Sequence, residues 1–275
     1  MIFASHYIVN FDPFAIKFPD GFFLDGIRWY GLSYLAGFII ALWLFNLYSA
    51  KGKSTLSKDD NSTLITYLLF GIIIGGRLGY MLFYAFDSFL ANPLTLFQIW
   101  KGGMASHGGF IGVVIALIIF ARVHKTSFWG IADIVVASAS PGIFLGRLAN
   151  FINGELWGKI SDVSWAMIFP HSAPNGTPLE QIAPRHPSQL YEAGAEGLFL
   201  FAYMQWRLWK GNAPKGQIAG EFLVLYGILR IVCEMFREPD VGVSLIMGLS
   251  RGSFYSIFAV VVGVAFIVRA RMQKA

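Results

Sequence analysis

The chain is laid out as seven long apolar runs, and their length decides what it can fold into. They extend over Trp29–Tyr48, Leu64–Phe86, Gly108–Val123, Ile131–Ile152, Leu190–Trp209, Ile218–Phe236 and Phe254–Val268. About 20 mainly apolar residues make a helix that crosses the hydrocarbon of a bilayer. The third run is short, and Ser138, Ser140, Pro141 and Gly142 interrupt the fourth. A span accepts such residues where neighbouring helices or water satisfy the freed backbone groups. Charged side chains make up only 13% of the 275 residues, about half the share of a soluble domain. The expected fold is therefore all-α: a polytopic membrane protein of about seven transmembrane helices, with residues 1–275 forming a single integral membrane domain.

Loop charge predicts the orientation. Eleven of the 21 Lys and Arg residues fall on one set of segments: Lys51, Lys53, Lys58, Arg122, Lys125, Arg207, Lys210, Lys215, Arg269, Arg271 and Lys274. Seven fall on the other: Lys17, Arg28, Lys101, Lys159, Arg185, Arg237 and Arg251. The richer set belongs in the cytoplasm, which puts the N-terminus outside and the C-terminus inside. The longest loop, residues 153–187, then faces outward as a small external cap. It carries five prolines, an Asn175-Gly176 turn signal and a short strand pattern over Ser164–Phe169. Ahead of the first span, Phe11, Phe14, Phe18, Phe22 and Phe23 alternate with polar residues and suggest a segment lying on the bilayer. No signal peptide is expected there, because residues 1–25 lack a basic region followed by a clean apolar one. Arg28-Trp29-Tyr30 reads as an interfacial anchor.

The remaining charges lie inside the spans, where ionisable groups are costly and mark functional sites by default. Gly146-Arg147-Leu148-Ala149-Asn150-Phe151-Ile152-Asn153-Gly154-Glu155 closes the fourth run. Arg147, Asn150 and Gly154 fall at i, i+3 and i+7, predicting one helix face, and Arg147 has no nearby carboxylate before Glu155. In the sixth run Tyr226, Arg230, Glu234 and Arg237 form a second polar stripe with Arg–Glu pairs at helical spacing. Two guanidiniums projecting into one outward cavity would bind an anion, and a lipid phosphate is the anion available at that depth. The alternative is that Arg230–Glu234 only ties helices together. Gly102-Gly103-Met104-Ala105-Ser106-His107-Gly108-Gly109 opens the third run, with Ser106 as a candidate cap and His107 in the first turn as a proton acceptor or a structural histidine. Arg185-His186-Pro187-Ser188-Gln189-Leu190-Tyr191-Glu192 reads as a helix start capped by Ser188. Arg77 is open to pairing with Asp87 or Glu192, or to snorkelling.

Other chemistry lacks its residues. The sequence has no Gly-x-Ser-x-Gly elbow, no His-Glu-x-x-His helix, no Cys/His cluster and no Walker loop. ATP-driven transport and metal-dependent hydrolysis lose support accordingly. The single cysteine, Cys233, reads as a buried apolar residue. The net charge of +5 comes without a basic tract, so no nucleic-acid partner is expected. On these residues alone an enzyme, a lipid or anion transporter and a membrane scaffold all remain open.

A resemblance narrows the choice. The run from Gly146 to Glu155, continuing into Leu156-Trp157-Gly158, closely resembles the signature of the bacterial prolipoprotein diacylglyceryl transferases. The Gly102–Gly109 and Arg185–Glu192 segments, Tyr226-Gly-Ile-Leu-Arg230, and Glu234-Met-Phe-Arg-Glu-Pro-Asp240 match in the same order. The resemblance implies a multi-pass inner-membrane enzyme with no cofactor or metal, and the loop charges above turn its site toward the outer leaflet. Its substrates would be phosphatidylglycerol, drawn from the membrane lipids, and the lipobox cysteine of a prolipoprotein signal peptide. It would move diacylglyceryl to the thiol and release glycerol phosphate, the first step of lipoprotein maturation. Arg147 and Arg230 are implied at the headgroup, and Tyr30, His107, Asn150, Glu155, Gly158 and Glu234 fall on functionally important positions. With the residue reading, the expected catalytic set is His107, Arg147, Arg230 and Glu155. Tyr30, Asn150, Asn153, Gly158, Tyr226 and Glu234 join the arginines in substrate binding. Three segments depart from the family pattern: Ala149 replaces a usual Gly, Ala105-Ser106 replaces a usual Ser-Phe, and Gly248–Ser253 replaces a Gly-Gln-type loop.

Overall fold

The computed structural model describes residues 6–19, 21–22, 25–98, 102–239 and 246–273. Phe23, Lys101, Asp240 and Lys274 lie outside them. Two compact units make up the fold: Met1–Ala41 with Val136–Ala275, and Leu42–Val135.

Short strands β1 (Tyr7–Ile8), β2 (Phe14–Lys17) and β3 (Gly26–Arg28) lead into α1 (Trp29–Ala50). Then come α2 (Lys58–Phe83), α3 (Phe86–Ala91), a 3-10 turn over Pro93–Phe97, α4 (Ser106–Val123) and α5 (Phe128–Ile152). The cap region contributes β4 (Met167–Ile168). Helix α6 (Ser188–Glu192) runs through a π-helical stretch, Ala193–Phe199, into α7 (Leu200–Lys210), and α8 (Gln217–Glu234) and α9 (Arg251–Met272) follow. All seven apolar runs are helical, and α1, α2, α5 and α9 are each long and apolar enough to cross a membrane. The all-α, polytopic membrane class expected from the sequence is what the chain adopts.

In the Leu42–Val135 unit, α2 and α4 touch backbone to backbone. Gly71, Gly75 and Gly79 recur every four residues along α2 and meet Gly108 and Gly112 of α4. A Cβ on Gly79 would stand 2.8 Å from the Gly108 Cα, and one on Gly75 2.9 Å from the Gly112 Cα. Lipid tails are as apolar as leucine, so helices in a membrane gain from such close approach rather than from hydrophobic exclusion. Tyr48, Leu64 and Phe120 fill the centre of this unit, and buried Asn61 donates to Asn46 and Ser49 at 3.0 Å each. Ser57 opens α2 with a reciprocal capping box to Asp60.

In the other unit α8 and α9 use the same device. A Cβ on Gly220 would lie 2.6 Å from the Gly263 carbonyl, and one on Gly227 2.8 Å from that of Ser256. The phenylalanine-rich N-terminal segment is a hairpin of β2 and β3 that brings the Arg28 guanidinium over the Phe14 ring at 4.6 Å. Within the loop, only Met167–Ile168 of the predicted strand is extended, paired in parallel with Tyr7–Ile8. Bridges join Gly158 to Arg237, and Arg185 to both Ile160 and Met167.

Candidate active site

Helix α5 delivers Arg147 and Asn150 and stops at Ile152. Gly154 therefore lies beyond the helix rather than on the Arg147 face, and its φ of +62° turns the chain where a side chain would be strained. The turn folds Glu155 back. Its Oε1 accepts from Asn150 Nδ2 at 2.8 Å and from Asn153 Nδ2 at 3.1 Å. Gln189 Nε2 donates to the Glu155 backbone carbonyl at 2.6 Å. Three polar side chains of the expected site thus form one unit.

Arg147 does not lack a carboxylate, as its sequence neighbourhood suggested. Its Nε lies 2.9 Å from Glu192 Oε2 and its Nη2 3.2 Å from Glu196 Oε2. Arg230 shares both partners, with Nη1 2.8 Å from Glu192 Oε1 and 3.4 Å from Glu196 Oε1, and its Nη2 donates to Glu234 one turn on. Arg237, past the end of α8, reaches Glu192 at 3.3 Å and Glu234 at 4.0 Å. Glu192 and Glu196 are completely buried. Three guanidiniums and three carboxylates balance in charge, which is how ionised groups survive removal from water. The Arg147 side chain keeps 18% exposure, against 11% for Arg230 and 8% for Arg237, so it is the least covered of the three.

Glu192 and Glu196 are the site residues that sequence reasoning missed. Glu192 read as part of a helix start, and Glu196 drew no notice. The available signal was two carboxylates four residues apart inside an apolar run. The structure puts them at the junction of α6 with its π-helical stretch, a distortion that occurs mostly at functional sites. Ser188 does not cap α6; Pro187 occupies that position, and the serine hydroxyl donates to the Leu156 carbonyl at 2.9 Å.

The other expected residues fall as follows. Tyr226 is within electrostatic range of Glu196, Arg230, Arg147 and Glu192. Tyr30, at the start of α1, is within range of Glu155 and Arg147 and exchanges a hydrogen bond with Tyr34 at 3.3 Å. Gly158 lets two strands close, because a Cβ there would stand 2.6 Å from the Phe236 carbonyl. Its amide donates to the His186 carbonyl at 2.9 Å. Gly252, in the segment that departs from the family pattern, packs against Glu234, and a Cβ there would run into the Glu234 carboxylate. His107 belongs to the Leu42–Val135 unit, in the first turn of α4. Ala105, not Ser106, is the N-cap residue of that helix. Arg77 pairs with neither Asp87 nor Glu192; carbonyl oxygens take its donors. Among the described residues no group of three or more His, Cys, Asp or Glu side chains is placed to hold a metal ion.

The sequence profile of a family described as prolipoprotein diacylglyceryl transferase matches residues 20–269. The chain belongs to that family. Among its relatives, the phosphatidylglycerol–prolipoprotein diacylglyceryl transferase of Shewanella sp. (strain MR-4) is 42% identical over 266 residues, covering 94% of this chain and 96% of the relative. The protein of that name from Pseudoalteromonas translucida is 46% identical over 248 residues, 90% of each chain. The one from Vibrio cholerae is 44% identical over 243 residues, covering 88% of this chain and 86% of its own. Membership makes the chain a membrane transferase.

Proposed function

We propose that the chain transfers diacylglyceryl from phosphatidylglycerol to the lipobox cysteine thiol of prolipoproteins, in the bacterial inner membrane. The N-terminus lies outside, the C-terminus in the cytoplasm, and the site opens toward the outer leaflet beneath an external cap of residues 153–187. All of residues 1–275 serve as one integral membrane domain. The Lys and Arg distribution among the loops supports this orientation. The observation that carries the reading is the shared bracing of Arg147 and Arg230 by Glu192 and Glu196, in a chain of this family.

The chemistry follows from charge. The cysteine thiol gives up its proton, its sulfur bonds to the terminal glyceryl carbon, and the carbon–oxygen bond to phosphate breaks with its electrons going to oxygen. A singly charged phosphodiester becomes a monoester carrying about 1.5–2 charges. Arg147 and Arg230 therefore hold the transition state more strongly than the bound lipid, which is the condition for catalysis. Glu192, Glu196 and Glu234 fix the guanidinium directions in advance, so little reorganisation is needed when charge develops. Glu155, aimed by Asn150 and Asn153, or His107 accepts the thiol proton, directly or through water. Tyr30, Tyr226 and Gly158 line the path of substrate.

The test mixes purified protein, phosphatidylglycerol and a lipobox peptide. A mass increase of one diacylglyceryl on the peptide cysteine, matched by glycerol phosphate release, supports the assignment. Lipid moved across a bilayer unchanged, with an unmodified peptide, would show a transporter instead.

A further inference from the structure

Arg77 lies within α2 and is 5% exposed. A guanidinium has five N–H donors, and here five carbonyl oxygens take them. Nε donates to Leu96 at 3.0 Å. Nη1 donates to Gly102, and to Gly103 at 3.1 Å. Nη2 donates to Thr95 at 2.5 Å and to Gln98 at 3.1 Å. With every donor engaged, Arg77 has nothing left for a lipid phosphate. It is an intramembrane cation satisfied by backbone dipoles, one of the few ways such a charge is tolerated.

The bound carbonyls belong to the segment that leads to His107. Gly102 and Gly103 have φ of +77° and +80°, a conformation that glycine adopts freely and that turns both carbonyls onto the same guanidinium. Two residues further on, the Ala105 amide donates to the Gly76 carbonyl at 2.9 Å. On the far side of His107, Gly108 packs against Gly75 and Gly79. Residues 75–79 of α2 thus grip the backbone both before and after the histidine.

We propose that Arg77 is a positioning residue for the transfer reaction: its carbonyl cage, with the glycine contacts beside it, fixes the histidine loop and hence the direction of the His107 imidazole. The proposal rests on the reading above that His107 takes part in the transfer. The guanidinium is needed rather than a positive charge as such, because lysine offers three donors from a single point and cannot span five carbonyls.

The test uses full-length protein in phosphatidylglycerol nanodiscs. Arg77→Lys should lower kcat by about tenfold to a hundredfold, the scale of an ångström-sized misplacement. KM for phosphatidylglycerol should stay within about twofold of wild type, since Arg147 and Arg230 are untouched. In protein labelled at its five histidines, the His107 ring signal, identified by its loss in His107→Gln, should shift while the other four stay. Gly102→Ala attacks the cage from the other side. A Cβ there meets nothing within 4 Å but is strained at positive φ, so the protein should fold, shift the same resonance and lose rate. It decides the matter alone if Arg77→Lys does not fold. Wild-type kcat in folded Arg77→Lys, or lost rate with the His107 signal unmoved, would overturn the proposal. Failure of the underlying reading looks different: His107→Gln itself would then transfer at the wild-type rate.

Discussion

Glu192→Gln is the sharpest probe of the cluster, because one carboxylate there serves three arginines. Its Oε2 faces Arg147, while its Oε1 faces Arg230 and Arg237, at 2.8–3.3 Å. The amide keeps the shape and one acceptor oxygen but removes the charge, leaving three guanidiniums against Glu196 and Glu234. A charge pair at about 4 Å and an effective dielectric near 20 is worth about 4 kcal/mol, and removing one partner of a buried pair costs about 3–5 kcal/mol. The two surviving carboxylates hold the loss to about 3 kcal/mol. At about 2–4 °C per kcal/mol for a chain of this size class, Tm should fall by about 6–12 °C, followed by tryptophan fluorescence in detergent. The kinetic effect has a definite sign. The cluster gains a net positive charge, so the ground-state phosphodiester binds at least as well and KM stays level or falls. Without their common brace Arg147 and Arg230 lose alignment, and kcat should drop by about a hundredfold. Wild-type Tm and kcat, or a raised KM with normal kcat, would show that Glu192 does not brace the arginines.

Asn150→Ala removes a hydrogen bond to Glu155, a charge-assisted contact worth about 1.5–3 kcal/mol; Tm should fall by about 3–12 °C on the same conversion, and peptide modification should slow at least tenfold in the mass-shift assay at a temperature where the variant is folded. Gly252→Ala should keep the fold but displace the Glu234 carboxylate that its new Cβ would strike, lowering the rate of glycerol phosphate release more than it lowers Tm. Gly112→Val forces α4 away from the Gly71 carbonyl, a helix-separating change expected to cost more than about 3 kcal/mol; loss of folded yield on size-exclusion chromatography is the readout.

Most of the architecture was legible because apolar length is a local property: all seven runs identified by hydrophobicity are helices. Boundaries were less so. Arg237 lies past the end of α8 and Gly154 past α5, although helical spacing assigned each to a continuous stripe. Arg147 and Arg230 could be picked out singly because charges in apolar runs are rare, but their partners could not. Glu192 and Glu196 lie 34 or more residues from either arginine, and only the tertiary fold brings them together. Arg77 misled for another reason. Its partners are backbone carbonyls, which every residue carries and no sequence pattern distinguishes. The four-residue spacing of Gly71, Gly75 and Gly79 drew no notice, because its purpose depends on Gly108 and Gly112 lying opposite.

The measurement that bears most directly on the account is the rate of glycerol phosphate release by Arg230→Ala in phosphatidylglycerol nanodiscs with a lipobox peptide, alongside its thermal stability. Removing one donor that holds developing negative charge typically costs about 10²–10³ in kcat. A loss of that size or greater, in protein that remains folded and membrane-inserted, is the predicted result. Release at near the wild-type rate by the folded variant would contradict the claim that the paired arginines stabilise the departing phosphate.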